Sequence, residues 1–287
     1  MILTIGVPTY NRSKKLSVLF ECLKKQEFND FEIIVSDNCS TDNTKEICDI
    51  YKTQFKKFRY TKQTQTIHVL DNYKYLFDTC STKYFMWLPD DDIIDNSYIK
   101  RCYDFIIKNK DYVLVSGLSK YYSGNKFIFK GKEINISDDN VSKRVYKLYG
   151  SARDNGNFYG IYNKEIILNY LYPKKYVGDL IFLSNVILFG KFKCLNSISI
   201  HRDLGGGTSG SLEGIIKYLN LSKWHSYFFH YISACEIFKN STYIKKKYAN
   251  QINLDIFFSI FCFISYLKNN LFESIIHIIK RLFTNRK

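Results

Sequence analysis

Tyr84-Phe85-Met86-Trp87-Leu88-Pro89-Asp90-Asp91-Asp92 sets five apolar residues in front of three adjacent carboxylates, in a chain that is otherwise basic. The apolar run reads as a buried strand, so the aspartates emerge together at its end. Three neighbouring negative charges repel one another, and a cation is the usual remedy. Hard oxygen ligands suit magnesium or manganese, which keep open positions for substrate phosphates. In a parallel α/β sheet the carboxyl ends of strands are also where ligands bind. The alternative is that Asp92 caps a following helix and the other two are solvated turn residues.

Towards the N-terminus, strands and helices alternate. Ile2-Leu3-Thr4-Ile5-Gly6-Val7 is an apolar strand stopped by Pro8, and after Thr9-Tyr10-Asn11-Arg12-Ser13 the residues Leu16, Leu19, Phe20 and Leu23 recur at helical spacing. Phe31-Glu32-Ile33-Ile34-Val35 is a second strand ending at Ser36-Asp37-Asn38. Thr41 or Asp42 then caps a helix with Ile47, Ile50 and Tyr51 on one face. A short strand near Phe58–Tyr60 and a helix carrying Val69, Tyr73, Leu76 and Phe77 lead into the opening stretch. This order predicts an α/β fold built on a parallel sheet. Three polar clusters then share one sheet edge: Pro8 to Arg12, Asp37-Asn38, and Asp90 to Asp92. A nucleotide needs an aromatic face for its base, a carboxylate or amide for the base and ribose edges, and metal-held carboxylates for a diphosphate. Tyr10, Asp37 with Asn38, and the triplet are those groups in turn. Ordinary turn and cap chemistry is the competing reading of the first two clusters.

Composition narrows the field. With 287 residues, 46% hydrophobic and 17% aromatic, the chain can fill a sizeable core and is not disordered. A formal charge of +15 calls for a polyanionic neighbour: nucleic acid, anionic lipid headgroups or a phosphorylated substrate. Eight cysteines without a Cys-x-x-Cys pair read as free thiols in a reducing cytosol. The chain opens directly as a strand, so no signal peptide is expected.

Val7-Pro8-Thr9-Tyr10-Asn11-Arg12, Val35-Ser36-Asp37-Asn38-Cys39-Ser40-Thr41-Asp42 and Leu88-Pro89-Asp90-Asp91-Asp92, in this order, resemble a family 2 glycosyltransferase. The resemblance implies a GT-A fold, a nucleotide-diphosphate sugar donor, Mn2+ or Mg2+, and inversion at the transferred sugar. By position it implies that Pro8, Thr9, Tyr10, Asn11 and Arg12 surround the nucleotide, and that Asp37 binds the base or ribose. Asn38 stands where such enzymes often have a second acid. Pro89 takes the place of the first acid of the usual Leu-Asp-x-Asp-Asp pattern, so Asp90 is assigned near the ribose and Asp91, backed by Asp92, to the metal. A register with Asp90 and Asp92 as the metal pair stays open.

The second half is expected to serve the acceptor. In Lys174-Lys175-Tyr176-Val177-Gly178-Asp179-Leu180-Ile181-Phe182, Asp179 precedes an apolar helix and resembles the family's general base, with Gly178 where a Glu often stands. Ile200-His201-Arg202-Asp203-Leu204-Gly205-Gly206-Gly207-Thr208-Ser209 resembles the segment that closes over the diphosphate, with His201 and Arg202 as its charged members. We expect a domain over 1–212, split at 110 into nucleotide-sugar and acceptor halves, and a helical C-terminal region over 213–287. There Trp224, Tyr227, Phe228, Tyr231 and Ile232 form an aromatic face, and Ile256 to Leu267 is apolar but too short to span a bilayer. Leu271, Ile275, Ile276, Ile279, Leu282 and Phe283, followed by basic residues, read as an interfacial membrane helix or as a helix packed on the domain. The resemblance implies a glycan or lipid-linked acceptor, as in O-antigen, capsule or lipooligosaccharide assembly, at the inner face of the cytoplasmic membrane. A sugar-phosphate nucleotidyltransferase lacks its Gly-x-Gly-x-Arg opening here, and a nucleic-acid-binding protein has only the net charge in its favour.

Overall fold

A computed structural model of the chain describes residues 1–152, 154–167, 177–204, 229–250, 252–254 and 256–270. Residues 174–176, the glycines at 205–207 with Thr208 and Ser209, Trp224, Tyr227, Phe228 and the segment 271–287 lie outside the described residues. The chain divides into two compact units, one of 1–133, 156–170 and 192–204, the other of 134–155, 171–191 and 205–287.

The first unit is a mixed sheet with helices between its leading strands. β1 (Leu3–Thr9), α1 (Ser13–Lys24), β2 (Phe31–Asp37), α2 (Thr44–Lys52), β3 (Phe58–Lys62), α3 (Val69–Thr79) and β4 (Tyr84–Trp87) follow the expected alternation. β1 and β2 are buried at every position, which is why they read as continuous apolar runs. Gly6 is needed where it stands, because a Cβ there would lie 2.8 Å from the Phe85 ring. The chain continues through β5 (Asp92–Ile94), α4 (Tyr98–Lys108), β6 (Tyr112–Ser123), β7 (Lys126–Lys130), a 3-10 turn at Gly156–Phe158, β8 (Ile161–Asn163) and β9 (Lys191–Asp203). The strand order is β3-β2-β1-β4-β8-β6-β9-β5, with β7 hydrogen-bonded to β6. β1 pairs in parallel with β2 and β4, and β2 with β3, whereas β4–β8, β6–β8, β6–β7 and β5–β9 are antiparallel. The parallel reading therefore holds for the first four strands, and the later pairings run antiparallel. Under the triplet, the buried Trp87 ring stacks on Phe77 and Phe158 at 5.5 and 4.9 Å, and its indole N–H donates to the Tyr73 carbonyl at 3.0 Å.

Three local expectations change, the first being that β1 is not stopped by Pro8 but runs on to Thr9, with Pro8 paired to Ser36. Asp92 opens a strand and caps no helix: α4 begins later, behind Ser97. On α2 the buried side chains are Thr44, Cys48 and Tyr51, while Ile50 is exposed.

The second unit is helical among the described residues. It contains α5 (Val141–Tyr149), α6 (Gly178–Val186), α7 (Phe229–Lys247) and a helical stretch over 258–270. Arg144 is buried and donates to the carbonyls of Asp138, Asp139, Ile187 and Leu188, so a guanidinium satisfies four backbone acceptors. The Tyr149 hydroxyl bonds Ser184 at 2.8 Å, and the Tyr146 ring packs on Phe258 and Phe261. No described helix is long and apolar enough to cross a membrane.

Candidate functional site

β1 and β2 are register-paired so that Thr9 stands opposite Asp37, and β4 lies on the other side of β1. The ends of three adjacent strands thus deliver Thr9, Asp37 and the aspartate triplet to one edge. Two residues beyond these strand ends, Asn11 at φ 51° and Cys39 at φ 68°, adopt left-handed backbone. Asn11 holds its turn by tying the two loops together: its N–H donates to Ser40 Oγ at 2.8 Å, and its Oδ1 accepts from the Thr41 N–H at 2.7 Å. Tyr10, directly before Asn11, is exposed.

Asp37 is completely buried, and both its oxygens are used. Oδ1 accepts from the Ser40 N–H at 2.8 Å and Oδ2 from the Tyr60 hydroxyl at 2.6 Å. Burial and this carboxylate push the Tyr60 hydroxyl pKa up, so Tyr60 remains a donor. The Asn38 side chain is a two-way clamp on Ile67, donating to its carbonyl at 2.9 Å and accepting from its N–H at 2.8 Å. An aspartate here would lack the donor, which explains in this chain the amide where a second acid is usual. Asp42 reaches back to α1, accepting from the Ser13 N–H at 2.9 Å, and also accepts from the Thr44 N–H at 3.1 Å.

The triplet is held by two arginines and one hydroxyl. Asp90 accepts from Thr9 Oγ1 at 2.7 Å and from Arg12 Nη1 at 3.1 Å; the same Nη1 reaches Asp91 at 2.6 Å. Asp92 pairs with Arg202 Nε at 3.0 Å. Arg202 lies over the rings of Tyr159 and Tyr121 at 4.3 and 5.5 Å. Burial pushes the Asp90 carboxyl up to about 6 although Thr9 and Arg12 pull it down, and burial likewise takes Asp92 to about 6 against Arg202. Asp91 is the most exposed of the three.

Among the described residues no three or more His, Cys, Asp or Glu side chains cluster as a metal cage. The donors do fit a hard cation held partly by substrate. Asp91 and Asp92 each keep one oxygen outside any hydrogen bond among the described residues, and two carboxylates plus phosphate oxygens are the usual magnesium or manganese set.

His201 and Arg202 lie on β9 and not in a loop, and as successive strand residues they face opposite ways. Arg202 is on the triplet side. His201 is spanned by Asp95, at 2.8 Å from Nε2, and the Tyr122 hydroxyl, at 3.2 Å from Nδ1. In the second unit Asp179 occupies the first turn of α6, and its Oδ1 accepts from the Leu180 N–H at 2.8 Å. The partners that sequence reasoning did not supply are Tyr60, Tyr121 and Tyr159; nothing in their local sequence marks them.

A family model described as Glycosyl transferase family 2 matches residues 4–171, more than half of the chain. The GalNAc(5)-diNAcBac-PP-undecaprenol beta-1,3-glucosyltransferase of Campylobacter jejuni is 27% identical over 187 residues, 62% of this chain and 56% of that protein. Glycosyltransferase GlyG of Streptococcus pneumoniae is 30% identical over 122 residues, 42% of this chain and 40% of that protein. The chain therefore spans about half the length of the curated relatives it matches. The solved structure of S. aureus TarS 1–349 in complex with UDP-GlcNAc superposes with a TM-score of 0.67 at 17% identity, over 94% of this chain and 73% of that one. The fold is the GT-A type, and the chain belongs to glycosyl transferase family 2.

Proposed function

We propose that this member of glycosyl transferase family 2 transfers a sugar, with inversion, from a nucleotide-diphosphate donor to a lipid-linked glycan acceptor in bacterial surface polysaccharide assembly. The observation that carries the reading is the arrival of the Thr9–Arg12 turn, Asp37 and Asp90 to Asp92 at the carboxyl edge of three adjacent strands. The donor class is supported by the UDP-GlcNAc bound to TarS, and the acceptor class by the undecaprenol-linked substrate in the name of the Campylobacter relative.

In this reading Tyr10 and the backbone at Pro8 flank the base. Asp37, wholly buried against Ser40 and Tyr60, meets the base or ribose edge once the Tyr60 hydroxyl turns aside, and Asn38 holds that loop in place. Thr9 and Arg12 fix Asp90 beside the ribose. Asp91, with Asp92 behind it, holds Mn2+ or Mg2+, which when bound supplies positive charge against the leaving diphosphate. Arg202 orients Asp92, and His201 braces the strand that carries it. Asp179 takes the proton of the acceptor hydroxyl as that oxygen bonds to C1 and the C1–O bond to the diphosphate breaks. The enzyme would work at the inner face of the cytoplasmic membrane, where a lipid-linked acceptor is presented.

A thermal-shift panel of nucleotide sugars, with and without Mn2+, tests the donor half. Saturable, metal-dependent stabilisation by one nucleotide class is expected. Stabilisation by oligonucleotides instead, or by no nucleotide sugar, removes the reading. Transfer from the matching donor to undecaprenol-diphosphate glycans then tests the acceptor half.

A further inference from the structure

β6 and β7 form a hairpin whose two-residue turn, Gly124-Asn125, has Gly124 at φ +58°. A half-buried strand alternates covered and exposed side chains, but all five residues of β7, Lys126-Phe127-Ile128-Phe129-Lys130, are exposed. Phe127, Ile128 and Phe129 are 51%, 44% and 42% exposed, and Ile128 is the residue bulged out of the ladder. Their ring contacts are with the hairpin itself, Phe127 against Tyr122 at 5.7 Å and Phe129 stacked on Tyr121 at 4.4 Å.

The charge is as lopsided as the hydrophobicity. Lys120 stands directly across the ladder from Lys130, a like-charge pairing that destabilises a hairpin unless an anion sits over it. Lys126 adds a third cation, and none of the three is ion-paired among the described residues. Lysines alone would protect an edge strand from pairing, but that leaves three exposed apolar side chains without a purpose. A soluble polyanion would use the lysines and not Phe-Ile-Phe. Anionic headgroups directly above acyl chains match both.

We propose that the β6–β7 hairpin docks edge-on against an anionic phospholipid surface, its outer strand β7 carrying Phe127, Phe129 on the opposite face and the bulged Ile128 into the interface, with Lys120, Lys126 and Lys130 at the headgroups. This deepens the lipid-linked acceptor reading and rests on it for its purpose. Phe129 stacks on Tyr121, Tyr121 meets Arg202, and Arg202 pairs with Asp92. Two side chains therefore separate the docked residue from the aspartate triplet, a suitable spacing for an acceptor whose diphosphate stays at the bilayer.

The test is co-sedimentation of the full chain with phosphatidylcholine vesicles and with vesicles containing phosphatidylglycerol. Salt-sensitive binding to the second alone is expected. Lys126→Glu/Lys130→Glu should lower the partition coefficient by roughly 25-fold or more, and Ile128→Asp should lower it without changing the melting temperature. In a Phe127→Trp variant, bound protein should show indole quenching by brominated acyl chains. Absence of binding by the parent chain, undiminished binding by both charge and Ile128 variants, or bound but unquenched Phe127→Trp each overturns the proposal. So does a concentration-dependent dimer abolished by Ile128→Asp. Donor thermal shifts on the same samples keep the two readings apart: vesicle binding with no donor binding removes the transferase reading and leaves the docking surface.

Discussion

Arg202 and Asp92 are paired twice, as cross-strand partners in the β5–β9 ladder and through a 3.0 Å ion pair. Removing the arginine leaves a buried carboxylate without its counter-charge. Arg202→Met should therefore cost about 3–5 kcal/mol of stability. Adding Asp92→Asn to it should recover much of that loss, because the uncompensated charge goes too. Urea unfolding of the two single variants and the double variant reads this coupling; additive losses would show that the pair does not act as a unit.

Asp91→Asn removes one charge at almost constant volume. If Asp91 holds the cation, turnover should fall by about a thousandfold, equivalent to roughly 4 kcal/mol of transition-state stabilisation, with an unchanged circular dichroism spectrum. Near-native turnover in this variant without added metal ends the Asp91 assignment.

The triplet also links metal to pH. Burial pushes the Asp90 and Asp92 carboxyls up to about 6 in the folded chain, above the roughly 3.9 of an unfolded aspartate. The folded state binds more protons across that interval. The stability this contributes is complete below about pH 4 and is lost as pH rises through about 6. A cation bound at the ionised carboxylates offsets that loss. The Mn2+-induced rise in melting temperature should accordingly be larger at about pH 7.5 than at about pH 5.5, and equal shifts at both would argue against metal at the triplet.

Asp179→Asn should leave donor affinity near native and reduce kcat by about two to four orders of magnitude, the range for a lost general base. Donor titration beside steady-state kinetics separates the two effects. A collapse of donor affinity would assign Asp179 to the donor site, with Asp154 and Asp203 next to be tried as base.

Asn38→Asp tests the clamp on Ile67. The carboxylate can still accept from the Ile67 N–H but faces the Ile67 carbonyl without a donor. A loss of about 1–3 kcal/mol is expected. A variant as stable as the parent would mean that the amide is dispensable to the loop.

β1, β2 and β4 were legible because they are buried at every position and are largely apolar, whereas β3 buries only Phe58 and is marked by its place in the alternation. The shared edge followed from Asp37 and Pro89, but Pro8 does not stop β1, which stays paired through Pro8 to Thr9 because a proline can still accept in a ladder. The helix-cap alternative for Asp92 fails because β5 is three residues long and exists through a partner in β9, a pairing no local pattern encodes. Ile50 was placed inwards by periodicity, but Cys48 and Tyr51 turn α2 so that it faces solvent. His201 and Arg202 were seen as a charged pair before a glycine run; that they serve opposite faces follows from their being strand residues. The three tyrosines around Asp37 and Arg202 come from distant parts of the sequence, so only the folded sheet reveals them.

The contacts that hold the aspartates become possible at different times as the chain is made. Thr9 and Arg12 are made about eighty residues before the triplet, but Arg202 follows Asp92 by 110 residues. A growing chain on the ribosome thus exposes three mutually repelling carboxylates of which the last has no counter-ion until β9 emerges. Fragments that end before β9 lack both the ladder partner of β5 and the counter-charge of Asp92.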